Sequence, residues 1–301
     1  MPTELLELLP PTARTALAAL LGLMLLAAVA EGLWLQRRGA PPDWHAAATS
    51  LADALLRRGV EALGLSLATP LLAWVYAHRL GSIAMDQAGA WGALFLGQEL
   101  CYYALHRAGH RVGWFWASHC VHHTPRQLTL FAAFRLGWTG KLGGSGLFFA
   151  PLLWLGFPPS AVLGMVAANL LYQFWLHTAW RPPLLLQSGV AGRLARAFGS
   201  VFNTPAHHRV HHACNPACLD CNYGGVLIVF DRLFGTLRAA PAGEPLRFGL
   251  TDGFDSHHPL HLGLHGWCVL WCELRQARSR GAVWAVLAGP PGRADRGPWP
   301  P

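Results

Sequence analysis

Histidine sets the chemistry this sequence can do. His106 and His110 form H-x-x-x-H, His119, His122 and His123 form H-x-x-H-H, and His207, His208, His211 and His212 form H-H-x-x-H-H. On a helix, residues three and four apart share a face, with Cβ atoms about 5–6 Å apart. That spacing lets two imidazoles meet one metal, or lets each serve one of two neighbouring metals. Imidazole suits zinc, copper, iron and nickel. The three clusters hold nine histidines, more than one ion of about four to six ligands can use, so the count implies a dinuclear centre. Surface or core histidines with ordinary hydrogen bonds would account for one such pair, not for three clusters.

The elements that must position these rings read as membrane helices. Of 301 residues, 53% are hydrophobic and 13% charged, against about 25% charged in ordinary globular domains. Mean hydropathy is +0.30. This excludes a freely soluble enzyme and a disordered chain. The +8 net charge comes from arginines flanking apolar runs, with no continuous basic face, so no nucleic-acid partner is expected. Seven scattered cysteines form no secreted disulfide framework. Lys141 is the only lysine among 23 basic residues, a skew typical of GC-rich bacterial genomes, which points to a bacterial inner membrane.

Apolar runs cover 15–35, 60–76, 88–105, 142–157 and 160–176. The first is long enough to span, and its leader carries Glu4 and Glu7 against Arg14, unlike a cleaved signal. Arg37, Arg38, Arg57 and Arg58 place the 36–59 linker in the cytoplasm. The 88–105 run then delivers His106 to the cytoplasmic face. A hairpin turning at Pro158-Pro159 brings His177 back to that face. The expected fold is all-α: an integral-membrane helical bundle of about four spans, hairpin included, with a cytoplasmic histidine-rich helical cap. Residues 1–87 supply membrane spans and linker, 88–238 a catalytic domain, and 239–301 a cytoplasmic tail. The stretch 225–230 reads as strand-like.

Longer motifs surround the histidines. They are Tyr102-Tyr103-Ala104-Leu105-His106-Arg107-Ala108-Gly109-His110, Trp116-Ala117-Ser118-His119-Cys120-Val121-His122-His123 and Tyr172-Gln173-Phe174-Trp175-Leu176-His177-Thr178. Asn203-Thr204-Pro205-Ala206-His207-His208-Arg209-Val210-His211-His212, Asn222-Tyr223-Gly224-Gly225 and Asp231-Arg232-Leu233-Phe234-Gly235-Thr236 follow. In order and spacing this series resembles the fatty acid hydroxylase/sterol desaturase superfamily of integral-membrane di-iron enzymes. The resemblance implies two iron ions held by His106, His110, His119, His122, His123, His177, His208, His211 and His212. Gln173 stands where some relatives carry another histidine, and His207 either replaces it as a ligand or orders its neighbour. It also implies dioxygen as co-substrate and hydroxylation or desaturation of a membrane lipid. The chain has no nicotinamide or flavin fingerprint, since Gly143-Gly144-Ser145-Gly146 is too short. Electrons must therefore come from a separate ferredoxin- or cytochrome-like protein with its reductase.

Other residues compete for roles. Glu99 lies seven residues before His106, on the same helical face, and an ionisable group inside a span is a functional candidate. Tyr103 lines the pocket or anchors at the interface. Asp231 belongs by resemblance to the motif block, where it fixes a histidine or backbone. Glu99, Tyr103 and Asp231 are the candidate catalytic residues. His257, His258, His261 and His265 lie beyond the block in a surface segment, and His45 and His78 are isolated. Cys214, Cys218 and Cys221 have spacing that can hold zinc or an iron–sulfur cluster, but read as free thiols in a reducing compartment. A membrane zinc hydrolase is the first rival, without H-E-x-x-H. A non-catalytic metal-binding or transport protein is the second, which would place ligands at mid-depth.

Overall fold

The computed structural model describes residues 11–64, 66, 68–181 and 188–291. Glu4, Glu7 and the end of the 239–301 tail lie outside the described residues. In chain order the helices are α1 (Pro11–Arg37), α2 (Trp44–Ala62), α3 (Ala68–Ala77), α4 (Ala88–Arg111), α5 (Gly113–His119) and α6 (Ala150–Leu155). Then come α7 (Pro159–Leu176), α8 (Gly189–Val201), α9 (Pro205–His212), α10 (Val229–Leu233), α11 (Pro259–Gln276) and α12 (Arg280–Ala288). Short 3-10 turns cover Cys120–His123, Leu130–Phe134 and Ser145–Phe149. The described residues contain no strand, only isolated bridges between Phe202 and Leu227 and between Ala213 and Phe248.

Among the described residues, two helices are long and apolar enough to cross a membrane: Ala18–Arg37 within α1, and Pro159–Leu176, which is α7. Leu23, Leu26 and Leu33 of α1 and Leu163 and Leu171 of α7 are exposed, as lipid-facing side chains would be. Two runs expected to be continuous are broken. The 60–76 run ends as helix at Ala62, Gly64 adopts φ +67°, and α3 restarts at Ala68. Pro70 sits in the first turn of α3, where its missing N–H is harmless. At 1.5 Å per residue α3 is about 15 Å long, roughly half the hydrocarbon thickness. The 142–157 run breaks at Gly144, with φ +78°, and only its last part is the helix α6. The α3 and α6 segments pair, with the N–H groups of Leu80 and Ile83 donating to the carbonyls of Trp154 and Gly156.

Two apolar clusters hold the site's scaffold. Leu94, Leu152, Leu153, Phe157, Ala161 and Val162 join α4, α6 and α7. Ala28, Ala47, Phe131 and Phe174 join α1, α2, the Leu130–Phe134 turn and α7. Glu31, buried in α1, accepts from Leu130 N at 2.7 Å and Ala179 N at 2.8 Å, which pins α1 to the chain on either side of α7. Helix α11 packs on α5 through Gly266, where a Cβ would meet the carbonyl of Ala117.

Candidate metal centre

Each histidine is delivered by a different local device. His106 and His110 lie one turn apart at the end of α4, where both are buried. His119 ends α5, and the 3-10 turn that follows carries His122 and His123. His177 is the residue immediately after α7. Helix α9 starts with Pro205 in its first turn and Thr204 as N-cap, and it buries His208, His211 and His212.

These residues come together as two groups. His106, His110, His119, His123 and His211 form one, and His122, His177, His208 and His212 the other, with the ligand atoms of each within 4.8 Å of one another. Sequence neighbours divide between them: His122 and His123 point to different groups, as do His211 and His212. Adjacent residues on a helical turn project about 100° apart, so each pair staples the two groups together. The stacked rings of His123 and His212, 4.4 Å apart, lie across the junction.

The hydrogen bonds fix which nitrogen faces inward. The Nδ1 atoms of His106, His122 and His211 donate to the carbonyls of Tyr223, Arg135 and Cys221 at 2.8 Å, and that of His177 to Gln173 at 2.9 Å. A carbonyl only accepts, so each Nδ1 carries the proton and each Nε2 keeps its lone pair. The Nε2 atoms of His106 and His211 are buried without a protein partner. Those of His122 and His177 face each other at 3.2 Å with no proton between them. The His110–His119 contact is 3.1 Å, His177–His208 3.1 Å and His208–His212 3.0 Å. Two nitrogens about 2.1 Å from one ion at 90–110° would lie about 3.0–3.4 Å apart, so the donor set fits two metal ions. Burial, with the nearby Arg135 charge, pushes His122 down to about 4; burial and neighbouring imidazoles hold His119, His123, His208, His211 and His212 well below the usual imidazole value. Neutral imidazole is the form that binds metal.

The other sequence candidates stand outside these groups. His207 is half-buried, and its Nδ1 lies 3.1 Å from Thr204 Oγ1. Gln173 accepts from Tyr102 Oη at 2.7 Å and donates to Asn169. Glu99 accepts from Val226 N and Leu227 N at 2.8 Å each and from the Asn169 amide, which ties α4 to α7 and to the chain before α10. These bonds take backbone N–H groups that a strand over 225–230 would need, and the expected strand is a loop over 225–228 that runs into α10. Asp231 accepts from Tyr223 N at 2.8 Å, Gly224 N at 2.7 Å and Thr236 Oγ1 at 2.6 Å, holding the turn whose carbonyl orients His106. Tyr103 Oη donates to the same Thr236 at 2.9 Å. All three are positioning residues. His265 pairs with Asp252 at 2.8 Å, and His257, His258 and His261 join neither histidine group. Cys214, Cys218 and Cys221 form no disulfide and join neither histidine group.

Arg135 and Asp53 were not singled out in the sequence. Arg135 is buried, its carbonyl holds His122, and its guanidinium donates to Ser50, Thr124 and the Ala46 carbonyl. Asp53 accepts from Gly137 N at 2.9 Å and Leu136 N at 3.1 Å, fixing the same segment against α2. The available signal was an arginine inside the largely apolar stretch 128–142.

Two cavities flank the centre. One, of about 550 Å³, is reached by His106, His119, His122 and His177 and walled by Leu20, Met24, Leu105, Phe134, Leu171 and Phe174. The other, of about 490 Å³, is reached by His110, His123, His211 and His212 and lined by Asp220, Asp252, His265 and Glu273.

A family model for fatty acid hydroxylase matches residues 91–236. The chain is 33% identical to alkylglycerol monooxygenase of Homo sapiens over 271 residues, 89% of this chain and 57% of that protein. It is 35% identical to alkylglycerol monooxygenase of Danio rerio over 250 residues, 81% of this chain and 51% of that protein. With an ornithine lipid hydroxylase of Rhizobium tropici it shares 28% identity over 153 residues, 51% of this chain and 43% of that protein. The chain thus spans about half the length of the curated relatives it matches. No solved structure matches it.

Proposed function

Because the chain belongs to the fatty acid hydroxylase/sterol desaturase superfamily, we propose that it is a membrane oxygenase that hydroxylates a C–H bond of a membrane lipid. The observation that carries this reading is the pair of all-histidine groups opening on an apolar cavity. The expected residents are two iron ions, one held by His106, His110, His119, His123 and His211, the other by His122, His177, His208 and His212. Bound there, they would supply the reductive use of dioxygen that puts one oxygen atom into an unactivated C–H bond.

The protein's own part is positional. Leu20, Met24, Phe134 and Phe174 give an alkyl chain an apolar path to the imidazoles and exclude water from it. The carbonyls of Tyr223, Arg135, Gln173 and Cys221 keep four rings turned inward. The polar cavity opposite suits protons, water and electrons from a separate ferredoxin- or cytochrome-like donor. In this reading the chain sits in a bacterial inner membrane with its centre at the cytoplasmic side. Two relatives named for alkylglycerol and one named for ornithine lipid favour a hydroxylated amphiphile over a desaturated one.

The test is mass spectrometry of lipid extracts from a host with and without the gene, grown under ¹⁸O₂. The expected result is a lipid species labelled with one ¹⁸O atom that requires the gene and is lost in the His122→Ala chain. No labelled species, with zinc retained and an ester or amide cleaved instead, would overturn the reading in favour of a hydrolase.

A further inference from the structure

The apolar cavity has a cationic wall that the proposed reaction does not use. Arg57 and Arg58 of α2 both line it. Arg57 Nε donates to Glu61 Oε1 at 3.1 Å, Arg58 Nη1 to Glu61 Oε2 at 2.8 Å, and Lys141 Nζ lies 2.8 Å from Glu61 Oε1. Among the described residues, Arg57, Arg58 and Lys141 share one carboxylate, whose side chain is 1% exposed. A guanidinium carries five N–H donors. Among the described residues, acceptors engage one nitrogen of Arg57 and one of Arg58. Both side chains line a cavity whose wall nearby also includes Leu20, Leu21 and Ala54. Position along the cavity follows from burial: the Arg58 side chain is 56% exposed, whereas His122 and His177 are buried. The arginines thus mark the outer part and the imidazoles the inner end.

We infer that Arg57 and Arg58 form an anion subsite, and that the substrate is an amphiphile with a phosphate-bearing headgroup whose alkyl chain runs inward to the histidines. This rests on the lipid-oxidation reading above and narrows it to a substrate class. Guanidinium groups bind phosphate oxygens through paired, charge-assisted hydrogen bonds that a neutral glycerol headgroup cannot make. Glu61 keeps both side chains on one face of α2, at i, i+4 and i, i+3 spacing, so the fork is held before a headgroup arrives.

Two amphiphiles with the same alkyl chain, a 1-O-alkylglycerol and its 3-phosphate, discriminate the outcomes. Both are measured on the purified full chain in neutral detergent, by displacement of a fluorescent alkyl probe and by single-turnover product formation when the chain loaded with two ferrous irons, which supply the two electrons needed, meets dioxygen. The wild-type chain should bind the phosphate at least about tenfold more tightly, the effect of one charge-assisted pair. In Arg57→Gln/Arg58→Gln that preference should collapse to within about twofold, and Arg57→Lys/Arg58→Lys should keep part of it. A merely structural role would weaken both ligands alike and leave the ratio unchanged. Equal affinity of the wild-type chain for both ligands overturns the inference whether or not the variants fold. Oxidation of neither, with the binding preference intact, would instead count against the oxygenase reading and leave the anion subsite standing.

Discussion

The histidine centre divides two cavities of similar size, about 550 Å³ and about 490 Å³, of which the second carries the more acidic lining. Toward the first, His106, His119, His122 and His177 look out between apolar side chains of α1, α4 and α7. Toward the second, His110, His123, His211 and His212 look out at Asp220, Asp252, His265 and Glu273. Both metal groups contribute rings to both sides. In the proposed reaction, an ion held by either group would meet a hydrocarbon chain from one direction and water, protons or a reductant from the other.

The largest expected effects break the divide. His177→Ala, on the apolar side, and His211→Ala, on the polar side, should each reduce turnover at least about a thousandfold, since either empties a position in a metal group. Product yield by mass spectrometry and metal content by elemental analysis would check this. Full activity in both would contradict the assignment of the two groups.

Next come substitutions that fill one cavity and spare the other. Ala168→Phe should lower lipid turnover about tenfold or more through overpacking of the apolar side, with metal content unchanged. Val269→Trp, on the polar side, should leave lipid affinity within about twofold and slow reduction by an external donor. Stopped-flow reduction and lipid displacement separate the pair, and equal effects on both measurements would erase the distinction between the cavities.

Smaller effects concern the residues that position the rings. Glu99→Gln replaces a carboxylate that accepts two backbone N–H groups, and should cost about 1–3 kcal/mol. For a chain of this size that is a fall in Tm of roughly 2–4 °C per kcal/mol, readable by a thermal shift assay. His207→Ala should do least, with metal content kept and turnover within about threefold, because its ring stands outside both groups.

The histidine spacing was legible in sequence because it is local: residues three and four apart on α4 and α9 share a face whatever surrounds them. Which ring joins which group was not legible. His122 and His123 part company because the chain tightens into a 3-10 turn there, and His177 arrives from another helix altogether. The length of the apolar runs was misleading at 60–76 and 142–157, since hydropathy does not register a left-handed glycine, Gly64 just after a helix and Gly144 just before a 3-10 turn. The loop at 225–228, which leads into α10, shows the same limit. Its apolar residues suggest a strand, but the partner for its N–H groups is Glu99, 127 residues away from Val226. Tertiary hydrogen bonds decided both the loop and the roles of Asp231 and Arg135, which pattern alone cannot reveal.

The central claim is that nine imidazoles form two adjacent metal sites. Anaerobic titration of the metal-free chain with ferrous iron, followed by Mössbauer spectroscopy, tests it most directly. The arrangement predicts two irons per chain in unequal environments, five imidazoles around one and four around the other, with one iron lost in His208→Ala. A single equivalent, or two irons unaffected by that substitution, would contradict it.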